Sequence, residues 1–301
     1  MRVKLGKLDS QGCSLHYRVR GQGPYLLLIH GLGSSGADWE FQARALESRF
    51  RIIIPDLPGT GKSIPAGRKT GKDQCTIAGF AQSLWALLDH LKAPSVNIIG
   101  FSLGGAVALE MALGQPERVL RLALINSLCS YRIDSLRKWL EARVPPVLVR
   151  LIGMRRMAAL VATRLFPKPW QRPLRERAAA VISAARASSY LTMALALESW
   201  KSSDGFASLK SKTLVIAAEH DFTPLAEKKA MAAALGAQFV VVRGSRHGTP
   251  FDSTEATNAC LSAFLSDRPL PHPDRWICDG APVVERLSLL TGLTRQQVPG
   301  H

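Results

Sequence analysis

Residues 100–104 read Gly100-Phe101-Ser102-Leu103-Gly104, a Gly-x-Ser-x-Gly pentapeptide, and its flanks constrain the fold more than any other stretch of the chain. The preceding run, 95–99, is short and rich in β-branched residues, which predicts a buried strand. The following run, 105–113, is rich in Ala, Leu, Val and Met and is closed by Gly114 and Pro116, which predicts a helix. A strand, a tight turn and a helix in that order force Ser102 into a strained, exposed position at a helix N-terminus. The flanking glycines are required because a Cβ would meet the neighbouring strand or helix.

The rest of the chain alternates in the same way. Strands are expected over 3–7, 14–18, 25–29, 51–54, 120–125, 213–217 and 239–242. Helices are expected over 37–48, 76–91, 225–235 and 254–265. Alternation of this kind implies an α/β fold with a mostly parallel central sheet and helices on both faces. It breaks between 131 and 205, where no strand pattern appears and helical patterns run over 147–165 and 175–199. Pro145-Pro146 and Pro167-Lys168-Pro169 are expected to divide that stretch. The expected organisation is a core of 1–130 and 206–266, a helical cap of 131–205 inserted over the carboxyl edge of the sheet, and a proline-containing extension of 267–301 in which 283–290 has helical character.

A serine hydroxyl needs a base to take its proton and an acid to orient that base. For an elbow of this kind the partners follow in the order serine, acid, histidine. His247, in the loop Gly244-Ser245-Arg246-His247-Gly248 after the strand at 239–242, is the expected base. Asp221, just past the strand at 213–217, is the favoured acid; Glu219 is its rival, and Asp252 reads as a surface or helix-capping carboxylate. The developing oxyanion needs amide donors. The Leu103 N–H follows the nucleophile at the helix N-terminus. The Leu32 N–H lies in the loop His30-Gly31-Leu32-Gly33-Ser34-Ser35-Gly36 after the strand at 25–29.

With these residues in place, the chain resembles the serine-nucleophile α/β-hydrolases that carry a helical cap. His30-Gly31 matches that family's oxyanion loop. Asp56-Leu57-Pro58-Gly59-Thr60-Gly61-Lys62-Ser63 resembles its Asp-x-Pro-Gly-x-Gly-x-Ser loop. The elbow, the Asp221 loop and the His247 loop follow in family order, so the resemblance runs from about Gly21 to Leu265. It implies the α/β-hydrolase fold, the Ser102–His247–Asp221 triad and hydrolysis of a carboxylic ester, thioester or lactone without metal or organic cofactor. Similar capped enzymes that dehalogenate haloalkanes or open epoxides carry aspartate at the elbow, so Ser102 argues against both. C–C hydrolases of ring-fission products share the layout, but their oxyanion loop is typically His-Gly-x-Gly-Pro-Gly-Ala. A non-catalytic ligand receptor on the same fold is the alternative from another class. Gly59-Thr60-Gly61-Lys62-Ser63 mimics the end of a phosphate-binding loop, but Asp56 stands where that motif needs glycine, and its charge would repel phosphate.

Charge and cysteines bound the partners. The formal net charge is +16, and residues 131–205 hold 14 Lys and Arg against 5 Asp and Glu. Arg150, Arg155, Arg156 and Arg164 share one expected helix with an apolar row. A small ester or acyl substrate is expected. The basic cap suggests an acidic acyl-carrier protein, as in the similar pimeloyl-carrier-protein methyl esterases, or an anionic membrane surface. No nucleic-acid-binding signature appears. Five scattered cysteines without a CxxC pair, no secretory signal and no apolar run of about 18 residues lead to the expectation of a cytoplasmic protein.

Overall fold

The structure, a computed structural model, describes residues 3–10, 13–64, 75–133, 136–202 and 205–271. Eight strands form one sheet in the order β1-β2-β4-β3-β5-β6-β7-β8. The antiparallel edge comprises β1 (Lys4–Ser10) and β2 (Cys13–Arg20). The others, β3 (Tyr25–Ile29), β4 (Arg51–Pro55), β5 (Val96–Phe101), β6 (Val119–Ile125), β7 (Lys212–Ala218) and β8 (Gln238–Val242), run parallel to one another. This is the mostly parallel α/β sheet that the alternating pattern predicts, and the α/β-hydrolase fold that the resemblance implies.

Strand side chains alternate between two buried layers. Leu27, Ile29, Ile53 and Ile98 pack with α2 (Ile77–His90) and α3 (Leu103–Gly114). Leu26, Leu28, Ile52 and Ile99 pack on the opposite face with α1 (Glu40–Leu46) and α8 (Thr254–Leu265). Each fully buried aliphatic side chain contributes about 1.5–3 kcal/mol by leaving water. Burial on both faces explains why these strands read as continuous apolar runs rather than as polar–apolar alternation.

The segment between β6 and β7 is helical: α4 (Leu136–Leu165), α5 (Arg172–Ala184) and α6 (Ala187–Ser199). It departs from the sequence expectation twice. Pro145-Pro146 do not end a helix; α4 runs through them and is interrupted instead at Gly153, whose φ of 76° only glycine adopts without strain. Proline's fixed φ suits a helix, so the pair costs hydrogen bonds without forcing a stop. The single helix expected over 175–199 is two, because Ala185 and Arg186 adopt extended ψ values of 140° and 125° with no glycine or proline to announce the turn. The helix expected over 37–48 opens as a 3-10 turn, Gly36–Trp39, capped by Ser35. At the other edge, the β1–β2 hairpin is longer than expected, pairing out to Ser10 and Cys13. The extension beyond 271, with the expected helix at 283–290, lies outside the described residues.

Candidate active site

The sheet order reverses between β3 and β5, which lie side by side, and their carboxyl ends open into the crevice where such sheets place ligands. Ser102 sits there with φ 54° and ψ −119°, a strained conformation for a residue with a side chain. The elbow's glycines have a steric cause. A Cβ on Gly100 would lie 2.3 Å from the Gly104 carbonyl oxygen, and one on Gly104 would lie 2.2 Å from that of Ile29. The turn can be this tight only because both positions lack side chains.

Three residues from three strand ends converge. His247 Nε2 lies 2.9 Å from Ser102 Oγ, and His247 Nδ1 lies 2.8 Å from Asp221 Oδ1. The imidazole is held between Phe222, with ring centroids 4.2 Å apart, and Phe101, at 5.2 Å. The rival carboxylates are used elsewhere. Glu219 accepts from the Gly244 amide at 2.8 Å, and Asp252 braces its own loop through Ser245 Oγ at 2.7 Å and the Arg246 amide.

The loop after β3 is braced by His30. The Leu57 amide donates to His30 Nε2 at 3.1 Å, so that nitrogen carries no proton and Nδ1–H donates to the Gly31 carbonyl at 2.9 Å. The Gly31 carbonyl and the Leu32 N–H belong to one planar trans peptide, so fixing the oxygen on one side aims the N–H to the other. Burial of His30 depresses its pKa, which favours this neutral tautomer. Leu32 and Ser102 both line the cavity described below, and Leu103 opens α3 directly after Ser102. The Asp56 loop that mimics a phosphate site is instead a brace. Its carboxylate accepts from the Gly36 and Lys62 amides at 2.8 and 2.9 Å and contacts His16 Nδ1.

Two buried residues escaped the sequence reading. Asn126, at the end of β6 with φ 48°, donates to the His247 carbonyl at 2.8 Å and to Thr249 Oγ1 at 2.7 Å, and accepts from the Ala218 amide at 2.7 Å. It pins the His247 loop to the ends of β6 and β7. Lys228, on α7 (Leu225–Ala234), is fully buried, and its ammonium donates to Asp221 Oδ2, the oxygen that His247 does not use. Thr223 Oγ1 donates to the same oxygen at 2.9 Å. Burial opposes the Asp221 charge, but His247 and Lys228 outweigh it and hold the carboxyl well below the usual carboxylate range. Burial lowers the Lys228 pKa, and Asp221 counteracts that shift. The signal for Lys228 was present in the sequence: it falls three and four residues before Met231 and Ala232, on the core-facing stripe of α7.

A cavity of about 320 Å³ opens onto Ser102 and His247. Its walls are mainly apolar and aromatic, including Phe101, Phe166, Phe222 and Phe251 from the sheet side and insert, and Val161 and Ile182 from α4 and α5. Four charged lining residues pair with one another, Arg177 with Asp38 at 3.2 Å and Lys138 with Glu227 at 3.0 Å; Glu198 pairs with Arg143, and the Arg164 guanidinium lies over the Phe222 ring. Among the described residues, no cluster of three or more His, Cys, Asp or Glu side chains suits a metal ion.

Comparison with known proteins places this geometry. The chain is 43% identical over 105 residues to the magnesium-chelatase 30 kDa subunit of Rhodobacter capsulatus, covering 35% of each chain. It is 36% identical over 159 residues to the putative carbamate hydrolase RutD of Variovorax paradoxus, covering 52% of this chain and 57% of the relative. The matched stretches thus span about a third to just over half of the length of these curated relatives. Among solved structures, the enol-lactonase of Burkholderia xenovorans LB400 superposes with a TM-score of 0.77 at 26% identity, over 87% of this chain and 100% of that one. The profile of the alpha/beta hydrolase fold matches residues 24–254, and the chain belongs to that family.

Proposed function

We propose that this protein is a serine hydrolase that cleaves a carboxylic ester, thioester or lactone through an acyl-enzyme. One observation carries the reading: the unbroken line of contacts from Ser102 Oγ through His247 to Asp221, beneath an apolar cavity. Ser102 attacks the substrate carbonyl while His247 Nε2 accepts its proton. The Leu32 and Leu103 amides hold the oxyanion. His247 then protonates the leaving group, and water repeats the sequence on the acyl-enzyme. Asp221 orients His247 and stabilises its cation. Lys228 shares that carboxylate, and Asn126 and His30 act as positioning residues. Residues 1–130 and 206–266 serve as the core, and 131–205 as a cap whose helices complete the acyl pocket. The mainly apolar walls of the pocket favour an uncharged acyl group.

The test is hydrolysis of p-nitrophenyl esters from acetate to palmitate by wild type and Ser102→Ala. Serine-dependent turnover supports the reading, and the best chain length gauges the pocket. A second reading, a non-catalytic subunit on the hydrolase fold, draws on the identity to the magnesium-chelatase 30 kDa subunit. It expects no turnover, and ligand or partner binding that Ser102→Ala leaves unchanged.

A further inference from the structure

Helix α4 has two opposed faces. One lines the cavity through Lys138, Ala142, Pro145 and Pro146. The other carries Leu136, Leu140, Val144, Val147 and Leu151, spaced by three or four residues, and every one of them is exposed; Leu136 is 74% and Leu151 76% accessible. At about 100° per residue these five fall within one quarter of the helix circumference, with Trp139, Arg143 and Arg150 along one edge. Past the break at Gly153, Arg155, Arg156 and Leu160 are also exposed. Single exposed apolar side chains are ordinary, but a contiguous row is not.

We propose that this outer face of α4 is a peripheral docking surface for a lipid bilayer containing anionic phospholipid. The charge decides the occupant. Residues 136–165 hold seven Lys and Arg and a single acidic residue, Glu141; Lys138 and Arg164 line the cavity and Arg143 pairs with Glu198, while Arg150, Arg155 and Arg156 are exposed. An apolar row beside a tryptophan and arginines matches the acyl–headgroup boundary of such a bilayer, where arginine stems lie along apolar surface and their heads meet phosphate. No single helix among the described residues is long and apolar enough to cross a membrane, so the helix lies on the surface rather than spanning it. Because the opposite face of the same helix lines the cavity above Ser102, docking brings the pocket beside the bilayer. An apolar substrate dissolved there reaches it without crossing water.

Co-sedimentation of the full chain with phosphatidylcholine vesicles, with and without phosphatidylglycerol, tests this. Arg150, Arg155 and Arg156 near the surface predict binding roughly a hundredfold tighter to the phosphatidylglycerol vesicles, falling steeply as salt is raised. Leu140→Glu with Leu151→Glu, and separately Arg150→Gln with Arg155→Gln and Arg156→Gln, each abolish most of that binding. None of these residues lines the cavity, so turnover of a water-soluble ester stays at the wild-type level, which also shows that the variants fold. Ser102→Ala leaves vesicle binding intact, so failure of the serine chemistry and failure of the docking surface are separable. Equal binding to both vesicle types, no binding to either, or burial of this face in a stable dimer or by an acidic carrier protein in place of vesicles overturns the proposal.

Discussion

Replacing Lys228 by methionine removes the buried cation from Asp221 while keeping the volume and the aliphatic stem. Removing one partner of a buried ion pair typically costs about 3–5 kcal/mol, because the other charge stays buried without it. Asp221 retains His247 at 2.8 Å, Thr223 Oγ1 at 2.9 Å and the Thr223 amide at 3.3 Å. These remaining donors reduce the expected loss below that range, to about 2–3 kcal/mol, read as a reduced midpoint in guanidinium unfolding. The kinetic effect has a definite sign. Lys228 and the cation that the proposed acylation forms on His247 share one carboxylate, and like charges disfavour each other. Without Lys228, the acid limb of the kcat/KM–pH profile moves to higher pH. A merely structural lysine would lower stability and leave that limb in place. An unmoved profile, or a stability within about 0.5 kcal/mol of wild type, refutes the assigned role.

Three further outcomes follow from the same geometry. Asn126→Ala removes three hydrogen bonds of 2.7–2.8 Å around the His247 loop; it is expected to cost about 2–3 kcal/mol and to lower kcat with little change in KM, checked by steady-state kinetics and denaturant melts. Burial holds the His30 pKa below its usual value, so its contribution to stability is full above the unfolded-state pKa of about 6.5 and is lost as pH falls through that range; His30→Asn removes part of this acid sensitivity, read from unfolding free energies between neutral and mildly acidic pH. Gly104→Ala puts a Cβ 2.2 Å from the Ile29 carbonyl oxygen; it is expected to destabilise the elbow by several kcal/mol or prevent soluble expression, whereas Gly114→Ala, with nothing within 4 Å, is tolerated.

Legibility in the sequence tracked how local each cause is. The sheet and its flanking helices were readable because strands buried on both faces become unbroken apolar runs, such as Leu26 to Ile29 and Ile52 to Ile54. Ser102, Asp221 and His247 were readable because each follows such a run at the same sheet edge. The insert was not: the break at Ala185–Arg186 falls where no glycine or proline marks a turn, and α4 runs through two prolines whose fixed φ is compatible with a helix. Asn126 was missed because its three partners lie about 90 residues or more away in the chain. Lys228 was missed because lysine beside Glu227 and Lys229 reads as a solvated helix face, although the positions of Met231 and Ala232 turn it inward.

Peptide mass mapping of the wild-type protein, acid-quenched during turnover of a p-nitrophenyl ester, tests the central claim most directly. The account predicts one acyl group per chain, carried on Ser102 and absent from Ser102→Ala, with a matching burst of p-nitrophenol. Turnover with no acyl group on Ser102, or undiminished turnover by Ser102→Ala, contradicts it.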